Sequence, residues 1–194
     1  QEDRQARIED TIRLENIRFN NSLAQLEAQA EASGEPLLGV DKTFLRDRRQ
    51  KADERIIALD KMMSQYDEVR PDLLATVGGE YRDSAAVVAR RTGRTVDQVQ
   101  AERAAFQADN RAMVLAAILA FTGKSANESE REGIQLSMPT FQNYDAESFK
   151  SIALRKAEDL IVLLEQDYSY LGEMPQQLLD LRQKVGTERA KINA

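Results

Sequence analysis

The sequence predicts an all-α protein, and three observations carry that expectation. Apolar residues recur at steps of three and four over long stretches, Gly (9) and Pro (4) are scarce among 194 residues, and no segment alternates apolar with polar at period two. The predicted architecture is a long N-terminal antiparallel helical hairpin over residues 1–70, followed by a compact cluster of four to five helices over residues 71–194. The division rests on the break at Pro71 and Gly78-Gly79, and a single domain spanning both parts is the alternative.

The first helix is expected from about Asp3 to Ala32, a stretch without Gly or Pro. Ile8, Ile12, Phe19, Leu23, Leu26 and Ala30 form a heptad-like seam along it, interrupted at Glu15. Ser33-Gly34-Glu35-Pro36 stops it, because Gly34 suits a left-handed cap and Pro36 cannot continue a helix. The apolar link Leu37-Leu38-Gly39-Val40 leads to a second helix, capped by Asp41 and running to about Val69. Its stripe is Leu45, Ala52, Ile56, Leu59, Met63 and Tyr66. Two long helices on a short link predict an αα-hairpin. Ile8, Ile12, Phe19, Leu23 and Leu26, with Leu45, Ile56, Leu59 and Met63 opposite, are therefore the candidate oligomer or packing interface.

Beyond Pro71 the helices shorten and their caps sharpen. Asp83 is expected to cap a helix ending near Arg91, with Gly93 just past it. Thr95-Val96-Asp97-Gln98 reads as a capping box opening a helix through Phe121, closed by Gly123. Ser125-Ala126-Asn127-Glu128 is expected to be a second box, before a short helix that stops at Met138-Pro139. Asp145 should cap a helix from Ala146 to Tyr170, stopped by Gly172, with Pro175 as the first residue of the last helix.

Composition excludes much chemistry. There is no His, Cys or Trp, yet 31% of residues are charged. Without imidazole or thiol there is no Ser-His-Asp triad, no Cys nucleophile, no zinc finger and no haem axial His. A di-iron bundle needs Glu-x-x-His and fails for the same reason. No calcium loop and no glycine-rich phosphate loop is present. The carboxylate pairs Asp53-Glu54, Glu130/Glu132 and Glu158-Asp159 lie among Lys and Arg on predicted solvent faces, where nothing would raise a carboxyl pKa for acid–base work. The expectation is a non-enzymatic protein with no cofactor, no metal and no small-molecule substrate.

With 27 Lys and Arg against 33 Asp and Glu the formal charge is −6, so the chain as a whole is a poor polyanion binder. The longest apolar run, Ala112 to Phe121, is about half of the ~20 residues a membrane-spanning helix needs, and reads as a buried helix. Absence of Cys excludes a disulfide framework and is neutral about compartment. The chain opens on Gln1 rather than Met, which fits a processed or partial sequence whose targeting peptide would lie outside it.

Two local patterns bear on nucleic acid. In Arg46-Asp47-Arg48-Arg49-Gln50-Lys51, the cations Arg46, Arg48, Arg49 and Lys51 are candidate phosphate contacts. The same helix, residues 41–70, carries eight Lys/Arg against seven Asp/Glu, so pairing at i,i+4 competes for them. The segment Ala85 to Val99 resembles a helix-turn-helix, with small Ala89, Gly93 four later and Val99 six after that. Arg90, Arg91 and Arg94 are its candidate contacts. Asp97, Gln98, Gln100 and Glu102 make the second helix too acidic a surface for groove binding.

One stretch narrows the class. Met113-Val114-Leu115-Ala116-Ala117-Ile118-Leu119-Ala120-Phe121-Thr122-Gly123-Lys124 is followed by Glu128-Ser129-Glu130-Arg131-Glu132-Gly133-Ile134, then Met138-Pro139 and Glu147-Ser148-Phe149-Lys150. This order, over roughly residues 110–170, resembles tailed-bacteriophage internal virion and DNA-transfer (ejection) proteins. The resemblance implies a virion structural protein that joins copies of itself and other virion proteins, with transient passage of double-stranded DNA. No lysozyme-like glutamate context accompanies it. Two other readings stay open: a helix-turn-helix nucleic-acid-binding regulator of the bacterial cytoplasm, and a periplasmic helical-bundle adaptor of a bacterial secretion system.

Overall fold

The structure, a computed structural model, describes residues 2–33, 39–123, 127–143 and 145–193. It is all-α. Among the described residues seven helices follow in order: α1 Glu2–Ser33, α2 Gly39–Glu68, α3 Ala85–Thr92, α4 Val96–Thr122, α5 Glu128–Ser137, α6 Ala146–Leu171 and α7 Gln176–Asn193. Between α2 and α3 lie a 3-10 turn at Pro71–Leu73 and one isolated bridge pairing Ala75 with Tyr81, and the described residues contain no strand.

Helix α2 is the axis of the molecule. It runs between α4 and α6, and its Ile56, Leu59, Met62 and Met63 are wholly covered. Each such side chain contributes roughly 1.5–3 kcal/mol over leaving it in water. Around them the same core takes in Met113 and Ala117 of α4, Phe149, Leu154, Leu160 and Leu164 of α6, and Leu178 and Val185 of α7. Phe106 and Phe149 meet with ring centroids 6.0 Å apart, joining α4 to α6. This core is continuous across residue 70. The expected division into 1–70 and 71–194 does not separate two cores, because the second half of the expected hairpin is the centre of the cluster.

Helices α1 and α2 do lie antiparallel, with Asn16 beside Asp53 and Glu27 paired to Lys42 at 2.8 Å. Among the α1 side chains described, Ile8 and Leu23 are the buried apolar ones, while Ile12 rests partly buried against the core. Helix α1 therefore docks on the bundle by a narrow strip.

Several boundaries move from their expected places. Helix α2 begins at Gly39, which puts Asp41 inside its first turn instead of at a cap. The cap of α3 is Ser84 and not Asp83, its hydroxyl accepting from Val87 N. The second capping box is Asn127 with Glu130, two residues later than expected, and Ser125 lies outside the described residues. Pro175 stands one residue before α7, where its carbonyl accepts from Leu178 and Leu179. The Thr95–Gln98 box and the Asp145 cap form where their sequences place them. The Gly34 and Pro36 stop lies outside the described residues.

Candidate functional site

The charged residues closest to the core form two clusters. The first lies where α1, α2 and α6 meet. Asp167 of α6 is completely buried, its Oδ1 accepting from Arg48 Nη1 at 3.2 Å and its Oδ2 from Arg55 Nη1. Arg55 also donates to two carbonyls, Ala120 O and Leu163 O, each at 3.2 Å. Ala120 belongs to the last turn of α4, where unpaired carbonyls favour a cation. Arg48 packs its guanidinium against Phe44 and Tyr170, 5.1 Å from either ring centroid.

One turn along, buried Arg49 reaches Asp53 Oδ1 at 2.8 Å, Asn16 Oδ1 at 3.1 Å and the Tyr168 hydroxyl at 3.3 Å. Asn16 in turn donates to Asp53 Oδ2 at 3.2 Å. Burial pushes the Asp53 carboxyl above the usual carboxylate range, with Arg49 and Asn16 pulling the other way. Burial likewise raises the Tyr168 phenol. Every carboxylate here faces a guanidinium or an amide inside the protein. Such an arrangement holds helices in register.

The second cluster ties the α3–α4 corner to the 3-10 turn. Arg94 bonds Asp72 at 3.0 Å and also Glu102, and Glu102 accepts from Arg70 at 2.6 Å. Burial opposes ionisation of Asp72, but Arg94 and Arg70 outweigh it and hold its carboxyl below the ordinary range. Arg103 donates to Asp72 O and Asp83 O, both at 2.8 Å, and lies over the Tyr81 ring at 3.8 Å. Val88, Ala89 and Val99 make a small satellite core, and Gly93 turns the chain at φ +71°. A side chain at that φ is disfavoured, so glycine is needed there. An open groove nearby is lined by Asp67, Glu68, Glu102 and Asp109 over Leu73 and Phe106. Asp67 pairs with Lys184 at 2.7 Å, and Glu102 is already engaged.

These contacts decide where each expected site residue stands. Ile56, Leu59 and Met63 are sealed inside this chain, so they are core and offer nothing to another molecule. Ile8 and Leu23 are buried, Ile12, Phe19 and Leu45 partly so, and Leu26 is exposed. Among the candidate nucleic-acid contacts, Arg49 is buried and spent on Asp53 and Asn16, Arg48 is bound to Asp167, and Arg94 is held by two carboxylates. Arg46, Lys51 and Arg90 are exposed, and Arg91 is exposed beside Asp83 at 3.1 Å. The exposed cations Arg46 and Lys51 are on α2, and Arg90 and Arg91 on α3.

Sequence reasoning missed Arg55, Asp167 and Asn110. The signal was present for the first two. Arg55 falls on the α2 core stripe three residues after Ala52, and Asp167 falls three after Leu164 on that of α6. A charge on an apolar stripe predicts a buried pair. Asn110 is buried in α4, donating to Pro139 O at 3.1 Å and accepting from Phe141 N at 2.9 Å, so it holds the α5–α6 connection.

Among the described residues no group of three or more acidic, His or Cys side chains could hold a metal ion, and no helix is long and apolar enough to cross a membrane. The chain matches no family model, no curated protein and no solved structure.

Proposed function

We propose that this chain is a non-enzymatic structural component of a tailed-bacteriophage virion, an internal or DNA-ejection protein that works by assembling with copies of itself and with other virion proteins. The observation that carries the assembly reading is the set of large apolar side chains left in solvent on helices: Leu136 of α5 is 88% exposed, Leu115 of α4 64% and Leu14 of α1 58%. Leu14 and Ile17, 58% and 49% exposed and three residues apart on α1, make the stripe that suits a protein contact, while the buried ionic clusters suit scaffolding. Of the candidate oligomer or packing residues, Ile56, Leu59 and Met63 take the packing role inside this chain, so the assembly surface is sought among the exposed residues.

The virion part rests on the resemblance over roughly residues 110–170. A formal charge of −6 fits a wall along which DNA slides without sticking. Mass spectrometry of virions purified from the encoding phage tests the assignment, and the mass of the protein in solution tests assembly. We expect the chain in the particle and a concentration-dependent multimer. Absence from virions refutes the first part, and a monomer at every concentration refutes the second.

One observation favours a second reading, a helix-turn-helix regulator: the α3–α4 corner has its own small core and a left-handed Gly93. Against it, Arg94 is bound to Asp72 and Glu102. Filter binding to duplex DNA at low salt decides, since a regulator binds and loses affinity when Arg90 and Arg91 are replaced.

A further inference from the structure

We propose that the solvent side of α1 is a self-association surface on which a second copy of this chain docks antiparallel, across a two-fold axis beside Asn21. The inference rests on the assembly reading and names its interface. Opposite the strip that faces the bundle, α1 carries Leu14, Ile17, Asn21, Ala24 and Ala28, all exposed, at steps of three and four. Leu14 is 58% and Ile17 49% exposed. That spacing is the a/d pattern of a coiled-coil seam.

The seam is lopsided, and its asymmetry fixes the direction of pairing. Its large residues lie toward the N-terminus and its small ones toward the C-terminus. In a parallel pair Leu14 and Ile17 would meet their own copies, leaving Ala24 and Ala28 across an empty gap. In an antiparallel pair centred on Asn21, Leu14 fits over Ala28 of the second copy and Ile17 over Ala24, so large faces small at each layer. Asn21 then lies beside Asn21 at the two-fold axis, and a slipped register would set its amide against Leu14 or Ile17.

The charges flanking the seam agree. Arg13, Asn20 and Glu27 lie along one edge, Arg18 and Gln25 along the other. A parallel pair sets Arg13 beside Arg18 of its neighbour, like against like. An antiparallel pair brings edge to same edge, so Arg13 meets Glu27 twice and Arg18 meets neutral Gln25. Glu27 uses one oxygen on Lys42 and keeps a partly exposed carboxylate for this. Two-fold symmetry requires such a self-complementary patch. The seam from Leu14 to Ala28 is about 21 Å long. By itself it falls short of a standard interface of about 1,200–2,000 Å², so pairing is weak in isolation and gains strength where many copies are held together.

The test uses the full chain, which has no cysteine, so engineered thiols report only the contact they are placed in. Sedimentation equilibrium should show that Leu14→Glu with Ile17→Glu weakens self-association by about thirtyfold, while circular dichroism stays at the wild-type helix content because both positions are exposed. Arg13→Glu alone and Glu27→Arg alone should each weaken it by about tenfold, and an equimolar mixture of the two should restore it, since both ion pairs reform in the mixed dimer. Ile17→Cys mixed with Ala24→Cys should give the mixed disulfide under mild oxidation, and Ile17→Cys alone should not. Multimers indifferent to the Leu14 and Ile17 substitutions, or Ile17→Cys linking to itself, would overturn the inference and leave assembly standing. A wild-type chain that stays monomeric at its highest soluble concentration overturns both.

Discussion

Removal of the Asp167 carboxylate is the sharpest probe of how the bundle is held. In Asp167→Ala, Arg55 stays buried and loses its only charged partner among the described residues, while Arg48 loses its bond at 3.2 Å. Deleting one side of a buried ion pair costs about 3–5 kcal/mol, chiefly through the uncompensated charge left behind. Two features place this case at the lower end. Arg55 keeps two carbonyl acceptors, one in the last turn of α4, and the Arg48 side chain is 28% exposed and can turn to water. The expected loss is therefore about 3 kcal/mol, measured as a fall in the urea midpoint at unchanged slope. It should appear as a drop in Tm of about 6–12 °C for a chain of this size. Replacing both partners, as Asp167→Leu with Arg55→Met, removes the stranded charge and should recover most of the loss. A single variant that loses less than about 1 kcal/mol, or a double variant worse than the single, would refute the reasoning.

Asn110→Ala should lose about 2–3 kcal/mol, because it strands Pro139 O and Phe141 N in a buried place, and amide exchange at Phe141 should quicken in step. Gly93→Ala should cost about 1 kcal/mol in urea denaturation, from the left-handed φ of +71° and not from crowding, since nothing stands within 4 Å of the added carbon. Asp72 predicts acid sensitivity. Its folded pKa is depressed below 3.8, so its stabilisation is present above that value and disappears as pH falls through the folded value. Stability measured across the acid range should fall more steeply for the wild type than for Asp72→Asn below about pH 4, and parallel curves would contradict the ionic role of Arg94 and Arg70.

The helical class and most helix ends were legible because they are local. The reciprocal bonds of Thr95 and Gln98, the turn at Gly93 and the stop at Gly172 depend on residues a few positions apart. What was not legible is which helix faces which. The stripe of α2 reads alike whether it is met by α1, by α6 or by another molecule, and only the long-range packing makes α2 the axis of one core. Charge misled for a related reason. Arg48 and Arg49 look like phosphate ligands in a basic run, yet their partners Asp167 and Tyr168 lie more than a hundred residues away. Leu14 and Ile17 escaped notice because the eye follows the stronger seam, and a helix with apolar residues on two sides has no single face to follow.

The inner contacts of α1 also bear on what its outer side can do. A helix docked by apolar side chains alone can roll about its axis by a fraction of a turn at little cost, since such burial has no direction. Here the strip includes directional bonds: Arg49 Nε to Asn16 Oδ1 at 3.1 Å, Asn16 Nδ2 to Asp53 Oδ2 at 3.2 Å, and Thr11 to Gln177 of α7. Two of these converge on one side chain from different residues of α2, and the third fixes the helix a turn earlier. Rolling α1 would break them together in a partly buried place where each lost partner is costly. The outward stripe of Leu14 and Ile17 is thus presented at a set angle to the bundle. Asn16→Ala should accordingly loosen the pairing of copies although Asn16 touches none of them, visible as weaker self-association at sedimentation equilibrium with the bundle still folded. If pairing is unchanged in Asn16→Ala, the polar strip holds α1 without aiming it.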